Sequence, residues 1–475
     1  MPPAFPPLWL NRQRGTRILA TLRDRRITTE QGELIPARTW AAVADALFTR
    51  DLVLYVDRLS DPPLWDAIED PDATITTRSD GSWVGIAVRR GRYVRHVYAS
   101  LQAWSRRADA SLLADIRAMS AAVHVRGNPT TASGAGVASM AAAWSGERVY
   151  GPGYACASTL RENLVGGRVD TLQPGKLYPV LWELDINDAY AAAAAAPLPG
   201  GSATWWDGSV LEPGPEWGAV TGYYLCDIIV HEPLTLGPVV LKVGPGEPNL
   251  IPSRPGRYRG WLWAEEVAAL RACRRGPVRQ VTVLPRHGWY WRRWAQGARS
   301  TRAGIVPEAS PLSSWARRMH RARRSLPKPA GQLVKLATVA GIGRWSADPS
   351  TYRIVRAREG PDDRRVTDPE LGVLALWVHR DERESATALP HWGSYVQMSV
   401  RLALYRTAAR YAADGTLVAS NYDALYVTTR PTERLSKLAG GWKLERLQDA
   451  VIPAARHLRS RTKTTLPGIP YDQRA

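Results

Sequence analysis

Two aspartates constrain this chain more than any other feature, because each stands in a run that otherwise reads as a buried strand. Asp185 ends Leu177-Tyr-Pro-Val-Leu-Trp-Glu-Leu-Asp185, and Asp423 lies within Val418-Ala-Ser-Asn-Tyr-Asp-Ala-Leu-Tyr-Val427. A carboxylate amid apolar residues is costly unless it is paired or binds a metal. On neighbouring strands the two would hold a pair of Mg2+ ions, the arrangement that activates a 3′-hydroxyl and stabilises a leaving pyrophosphate. Acids that only close turns or caps give the same local pattern, so order and context must decide.

Charge supplies the first context. Lys and Arg number 63 against 44 Asp and Glu, a formal net charge of +19 over 475 residues. Such an excess points to a polyanionic partner, nucleic acid above all. The 20 Trp against 2 Phe, in a chain rich in Ala and Arg, suggest a GC-rich genome, which accounts for part of the Arg. Cys156, Cys226 and Cys273 share no metal-type spacing with His, so neither a zinc site nor a disulfide framework is expected. The start carries no apolar core of signal length, and no run approaches the ~20 apolar residues that span a bilayer. A reduced, intracellular protein without a membrane anchor is expected.

The length allows about two to four domains. Residues 1–125 alternate strand-like runs (Asp51 to Val56, Trp83 to Val88) with helical stretches (Trp40 to Phe48, Leu101 to Met119), the pattern of an α/β layer. Residues 126–153 are rich in Gly, Ser and Ala and read as linker. A basic block spans 291–324. In it Arg317, Arg321 and Arg324 step by four and three and share a helix face. Pro327 and Pro329 must end that helix, and a second helical run from near Gly331 carries Lys335, making a hairpin. A helical run from Ser394 to Ala412 precedes the β-type segment Thr416 to Thr429. No clear insertion is evident between Trp345 and Trp392, although the stretch is long enough to hold a small one.

Within this order three segments resemble the motifs of family B DNA polymerases. Asp185-Ile-Asn-Asp-Ala-Tyr190 resembles motif A (Asp-x-x-Ser-Leu-Tyr-Pro). Lys335-Leu-Ala-Thr-Val-Ala-Gly-Ile-Gly343 resembles motif B (Lys-x-x-x-Asn-Ser-x-Tyr-Gly). Asn421-Tyr-Asp423 resembles motif C (Asp-Thr-Asp). Weaker stretches are similar to the protein-primed branch: Arg161-Glu-Asn-Leu-Val-Gly-Gly-Arg-Val169 to its Tyr-x-Gly-Gly junction, Trp261-Leu-Trp-Ala-Glu-Glu266 to a turn and helix opening, the helix through Arg401, and Gly441-Trp-Lys-Leu-Glu445 to a stretch after motif C. Each motif is degenerate, and the ordered set is what is specific.

The resemblance implies an α+β right-hand fold behind a degenerate ribonuclease H-like exonuclease domain. The expected domains are 1–125 exonuclease-like, 126–175 linker and junction, 176–290 palm with an insertion, 291–345 fingers, 346–430 palm and 431–475 thumb. The palm would be an antiparallel sheet and the fingers a helical hairpin. Asp185 and Asp423 would be catalytic and would hold two Mg2+ ions, with Mn2+ as a substitute. Asp188 would lie near the metals and make good the charge lost at Asn421. Tyr190 would stack under the dNTP sugar. Lys335, with Arg323 or Arg324, would meet the triphosphate, and Gly343 would pass close to the nascent base pair. Gly166, Gly167, Arg317, Arg321 and Lys463 would contact DNA.

The implied activity is DNA-directed DNA synthesis by a monomer on primed template with dNTP, with a terminal or priming protein as a further partner. The resemblance also implies a phage or mobile-element origin, in the host cytoplasm. Motif A has Asp188 for Ser and lacks the Pro, motif B has Val339 and Ile342 for Asn and Tyr, and motif C has Asn421 for its first Asp. Low fidelity or altered template use follows. The exonuclease should be silent: residues 1–60 hold no Asp-x-Glu, Asp57-Arg-Leu-Ser-Asp61 is the only remnant of its second motif, and Trp104 to Asp109 does not restore the third. A catalytically silent, DNA-binding homologue and a two-carboxylate nuclease are the competing readings. The nuclease has no need of Lys335 or Tyr190.

Overall fold

A computed structural model describes the chain from residue 18 to 465, apart from residues 24, 57–63, 65–66, 68–69, 78–82, 99–109, 126–131, 145–150, 210–211, 245–248, 302–303, 347–350, 356–363, 369–372, 381–388 and 455. Asp57, Asp61 and the stretch Trp104 to Asp109 lie outside the described residues. The chain divides into two units: Ser145–His320 with Leu389–Ala475, and Ala4–Trp144 with Arg321–Ala388. Among the described residues no helix is long and apolar enough to cross a membrane.

The first unit holds a seven-stranded antiparallel sheet. Its middle runs from Trp442–Val451 through Leu177–Ile186 and Ala424–Val427 to Leu417–Tyr422, with Arg168–Thr171 at one edge. Residues alternate across a strand, so Leu184 and Ile186 share one face with Leu425 and Val427. That face packs on Val400, Leu404 and Ala408 of the helix Pro390–Ala413. Glu183 and Asp185 point from the other face. A strand expected in a separate thumb, Trp442–Val451, is instead the immediate neighbour of Leu177–Ile186 in this sheet. Its Leu447 and Ala450 join the core of that layer.

A second sheet of this unit is formed by Thr204–Trp206, Val281–Trp291, Thr221–Val230 and Gly256–Trp263. Tyr224, Cys226, Ile228 and Val230 bury one of its faces with Val267 and Leu270 of the helix Ala264–Arg271. At its inner end Trp263 donates to Ser394 Oγ at 3.0 Å. Trp291 stacks on His391, centroids 6.0 Å apart. His391 is fully buried with neither ring nitrogen hydrogen-bonded, and burial pushes its pKa down to about 3.

The second unit is built on a mixed sheet in which Ile18–Arg23, Leu52–Tyr55 and Tyr93–Tyr98 run parallel. The helix Trp40–Thr49 packs on it through Val43 and Leu47. Two differences from expectation arise here. The Gly, Ser and Ala stretch read as linker contains the helix Ala132–Ala143, which packs along Lys328–Trp345. Small side chains permit that approach: a Cβ on Gly136 would stand 2.1 Å from the Ala337 carbonyl oxygen and 2.7 Å from Gly341 Cα. The span 346–388, expected in the palm and long enough to hold a small insertion, carries the strands Thr351–Val355, Arg364–Asp368 and Val373–Arg380. They extend the sheet of this unit by pairing Tyr352 and Arg353 with Thr77 and Thr76.

Candidate active site on the seven-stranded sheet

The register places Ala424 opposite Asp185, and the Ile186 amide donates to the Asp423 carbonyl at 2.9 Å. The two aspartates are therefore brought together on paired segments. Asp423 does not lie inside a strand as its sequence context suggests. Asn421 pairs with Ala424, so Tyr422, at the end of the strand Leu417–Tyr422, and Asp423 make the two-residue turn of the hairpin that continues into Ala424–Val427. Tyr422 has φ 58°, the sign that a type II′ hairpin needs at its first loop position and that costs a residue with a Cβ some strain. Gly167 makes room for it: a Cβ there would stand 2.4 Å from Tyr422 Cδ1 and 3.1 Å from Tyr422 Cα. The Arg456 guanidinium lies 5.0 Å from the centre of the same ring. Asn421 Oδ1 is buried without a hydrogen bond.

Charge around Asp185 is organised by residues the motif comparison passed over. Lys443 stands opposite Asp185 on Trp442–Val451, and its ammonium is ion-paired with Asp185 Oδ2. Two residues back along the strand, Glu183 binds Lys463 Nζ at 2.5 Å, and Glu445 lies 3.6 Å from the same nitrogen. Burial pushes the Glu183 carboxyl up, against the pull of Lys463. Burial alone would lower Lys463, but Glu183 and Glu445 more than offset it, and the ammonium is held above its usual range. Lys463, expected to grip primer phosphate, is thus engaged by two carboxylates. A Lys alternating with acids in Trp442-Lys-Leu-Glu445 was the available signal for Lys443; its partner on a distant strand was not.

Tyr190, on the helix Ala189–Ala195, is half-buried against the core that also holds Leu184 and Val400. Its phenol is pushed up to about 12, first by burial and then by the Asp423 charge, so it is a neutral hydroxyl beside that carboxylate. Asp188, expected near the metals, has a histidine as its observed partner. Asp188 caps that helix in a left-handed conformation, φ 46°, and its Oδ2 meets His320 Nδ1 at 2.6 Å. Among the described residues no group of three or more His, Cys, Asp or Glu is placed to hold a metal ion.

The junction is held from behind. Arg401, 4% exposed, donates to the carbonyls of Val165 and Gly166 at 2.7 and 3.1 Å and to Glu266 Oε1 at 2.9 Å. Gly166 itself has open space, with only Gln397 Oε1 at 3.9 Å from a hypothetical Cβ. Arg317, in the same unit, is ion-paired with Glu308. Lys335, Arg321, Arg323, Arg324 and Gly343 belong to the other unit. There Lys335, Arg321 and Arg324 are exposed and Arg323 half-buried. Among the described residues nothing lies within 4 Å of a Cβ built on Gly343, so their packing does not require glycine at that point.

The donors suit a hard divalent cation, since Asp185 and Asp423 offer carboxylate oxygens. The Lys443 ammonium seated on Asp185 marks a position where positive charge is held.

Neither family models nor curated proteins match this sequence. Solved structures do. The fold is similar to that of phi29 DNA polymerase. Its orthorhombic crystal form aligns with a TM-score of 0.66 at 10% identity, over 97% of this chain and 94% of that one. Its complex with single-stranded DNA gives 0.68 at 11%, over 96% and 93%. Its ternary complex with primer-template DNA and incoming nucleotide gives 0.68 at 10%, over 96% and 93%.

Proposed function

We propose that the chain is a DNA-directed DNA polymerase of the protein-primed family B type, extending a 3′-hydroxyl or a protein hydroxyl with dNTP. The observation that carries this reading is the pairing of the Asp185 strand with the Asp423 hairpin in a fold similar to phi29 DNA polymerase. Asp185 and Asp423 would hold two Mg2+ ions, which when bound supply charge to the attacking and leaving oxygens. Tyr190 would bear on the nucleotide sugar as a neutral phenol. Lys335, with Arg323 or Arg324, would take the triphosphate, and Gly343 would leave room at the nascent base pair. Gly166, Gly167 and Arg321 would lie along DNA, with the surplus of cations holding phosphate backbone. Proofreading would be absent.

A second reading, a silent homologue that binds DNA as an accessory subunit, is favoured by one observation: Asp185 is already neutralised by Lys443. Incubation with primed template, dNTP and Mg2+ separates the two. Extension that falls at least ~1,000-fold in both Asp185→Asn and Asp423→Asn supports the polymerase, on the scale of removing a metal-borne term of several kcal/mol. No extension, with intact DNA binding, supports the silent homologue.

A further inference from the structure

The face of the four-stranded sheet that the helix Ala264–Arg271 does not cover carries a run of indole rings reaching the surface. Trp205, Trp289 and Trp261 are neighbours in register through Thr221–Val230 and its flanking strands. Trp289 and Trp261 stack with centroids 5.3 Å apart and planes 24° from parallel, and Trp205 meets Trp289 at 4.7 Å. Trp261 continues onto Tyr223, 5.3 Å away and 22° from parallel, at the buried end. The rings are thus fixed from below while Trp205 remains 50% exposed and Trp261 and Trp289 are half-buried. Because Trp205 is continuous with Trp289 and Trp261, the exposed ring belongs to a contiguous apolar patch rather than to a scattered surface residue, and contiguous patches mark interaction sites.

Positive charge borders it. Asp227 binds two guanidinium groups at once, Arg259 and Arg286, each at 2.7 Å through Nε. Both side chains stay more than half exposed, 65% and 54%, so their outer N–H groups remain toward solvent. Two cations on one anion leave the border net positive, in a chain of net charge +19.

We infer that this face binds single-stranded nucleic acid, with bases stacking on Trp205, Trp289 and Trp261 and phosphates meeting Arg259 and Arg286. Flat rings with adjacent guanidinium groups are the chemistry that holds unpaired bases, whose π-faces are free only when the strand is single. The aromatic content favours a strand over a duplex, whose bases are closed to stacking, and the border charge favours a polyanion. This inference does not rest on catalysis at Asp185 and Asp423.

The test compares two fluorescent probes on the full chain by anisotropy: an oligothymidylate about a dozen nucleotides long, and an abasic phosphodiester of equal length and charge. The wild type should prefer the thymidylate by about tenfold or more, since stacking contributes on that scale per base. Trp205→Leu should lose most of that preference with little change toward the abasic probe, and Trp205→Phe should keep it. Trp205 is exposed, so its variants should fold, and Trp289→Leu is the second case. Equal affinity of the wild type for the two probes overturns the inference. So does a Trp205→Leu variant whose preference is unchanged, the result expected if the face docks a protein instead.

Discussion

Lys443 stands directly across a strand pair from Asp185, and its ammonium is seated on the carboxylate oxygen Oδ2. Any divalent cation approaching that oxygen must displace it. Because the Lys443 side chain is half exposed, the contact is worth no more than about 1 kcal/mol. Lys443→Gln should therefore lower the Mg2+ concentration for half-maximal nucleotide incorporation by about threefold to fivefold. A Mg2+ titration identical to wild type would mean that the ammonium does not compete for the site.

Gly167 should tolerate no side chain. Its hypothetical Cβ meets the ring and the Cα of Tyr422, so Gly167→Ala must push the Asn421-Tyr-Asp423 turn. Overpacking of this kind costs about 1–3 kcal/mol. The expected result is a lower melting temperature together with a larger loss of incorporation than of DNA binding. Gly166→Ala, with open space, serves as the contrast and should melt within a degree or two of wild type.

Arg401 and Glu266 are buried together, at 4% and 2% exposure. Removing one partner leaves an uncompensated charge, so Arg401→Met should destabilise by about 3–5 kcal/mol. The double variant Arg401→Met, Glu266→Leu should recover part of that loss. Denaturant melts of the single and double variants measure it, and strict additivity of the two single losses would show that the pair is not coupled.

His391 predicts a pH dependence. Its folded pKa is depressed to about 3 by burial, whereas an unfolded imidazole titrates near ~6.5. The stability it contributes is therefore complete above that pH. It is lost as pH falls through the window down to about 3, because the unfolded chain takes up a proton that the folded chain refuses. The slope is about 1.4 kcal/mol per pH unit. His391→Phe keeps a ring against Trp291 and should flatten the fall. Equal slopes in wild type and variant would show that His391 accepts a proton while folded.

Much of the site was legible because its signals are local. The strand ending at Asp185 and the helix that follows it come from short-range patterns of apolar residues, whereas the run bearing Asp423 reads as one strand and its turn at Tyr422 and Asp423 carries no Gly or Pro to announce it. The partners of those residues were not legible, because they come from register between distant strands. Nothing near Lys443 announces Asp185, and nothing near His320 announces Asp188. The place of Lys463 in the sequence suggests a phosphate contact, because only the fold brings Glu183 and Glu445 to it. Composition misled at Ala132–Ala143, where Gly and Ala serve a close helix contact rather than a loose connection. The strands between 351 and 380 lacked a helical or motif signal and were absorbed into a neighbouring expectation.

Those strands and that helix bear on what can be deleted from this chain. Cutting away residues 18–144 would take from Lys328–Trp345 the helix it lies along, and would leave Thr351–Val355 with an unpaired edge where it now bonds to Ala73–Thr77. An open edge of this kind invites association with other chains. The N-terminal segment is thus a folding partner for sequence nearly two hundred residues or more downstream (a dependence on architecture alone). A shortened gene would not yield a leaner version of the same protein but one with an exposed helix flank and a sticky sheet margin, and mutation can erode the chemistry of such a segment far more easily than it can remove the segment.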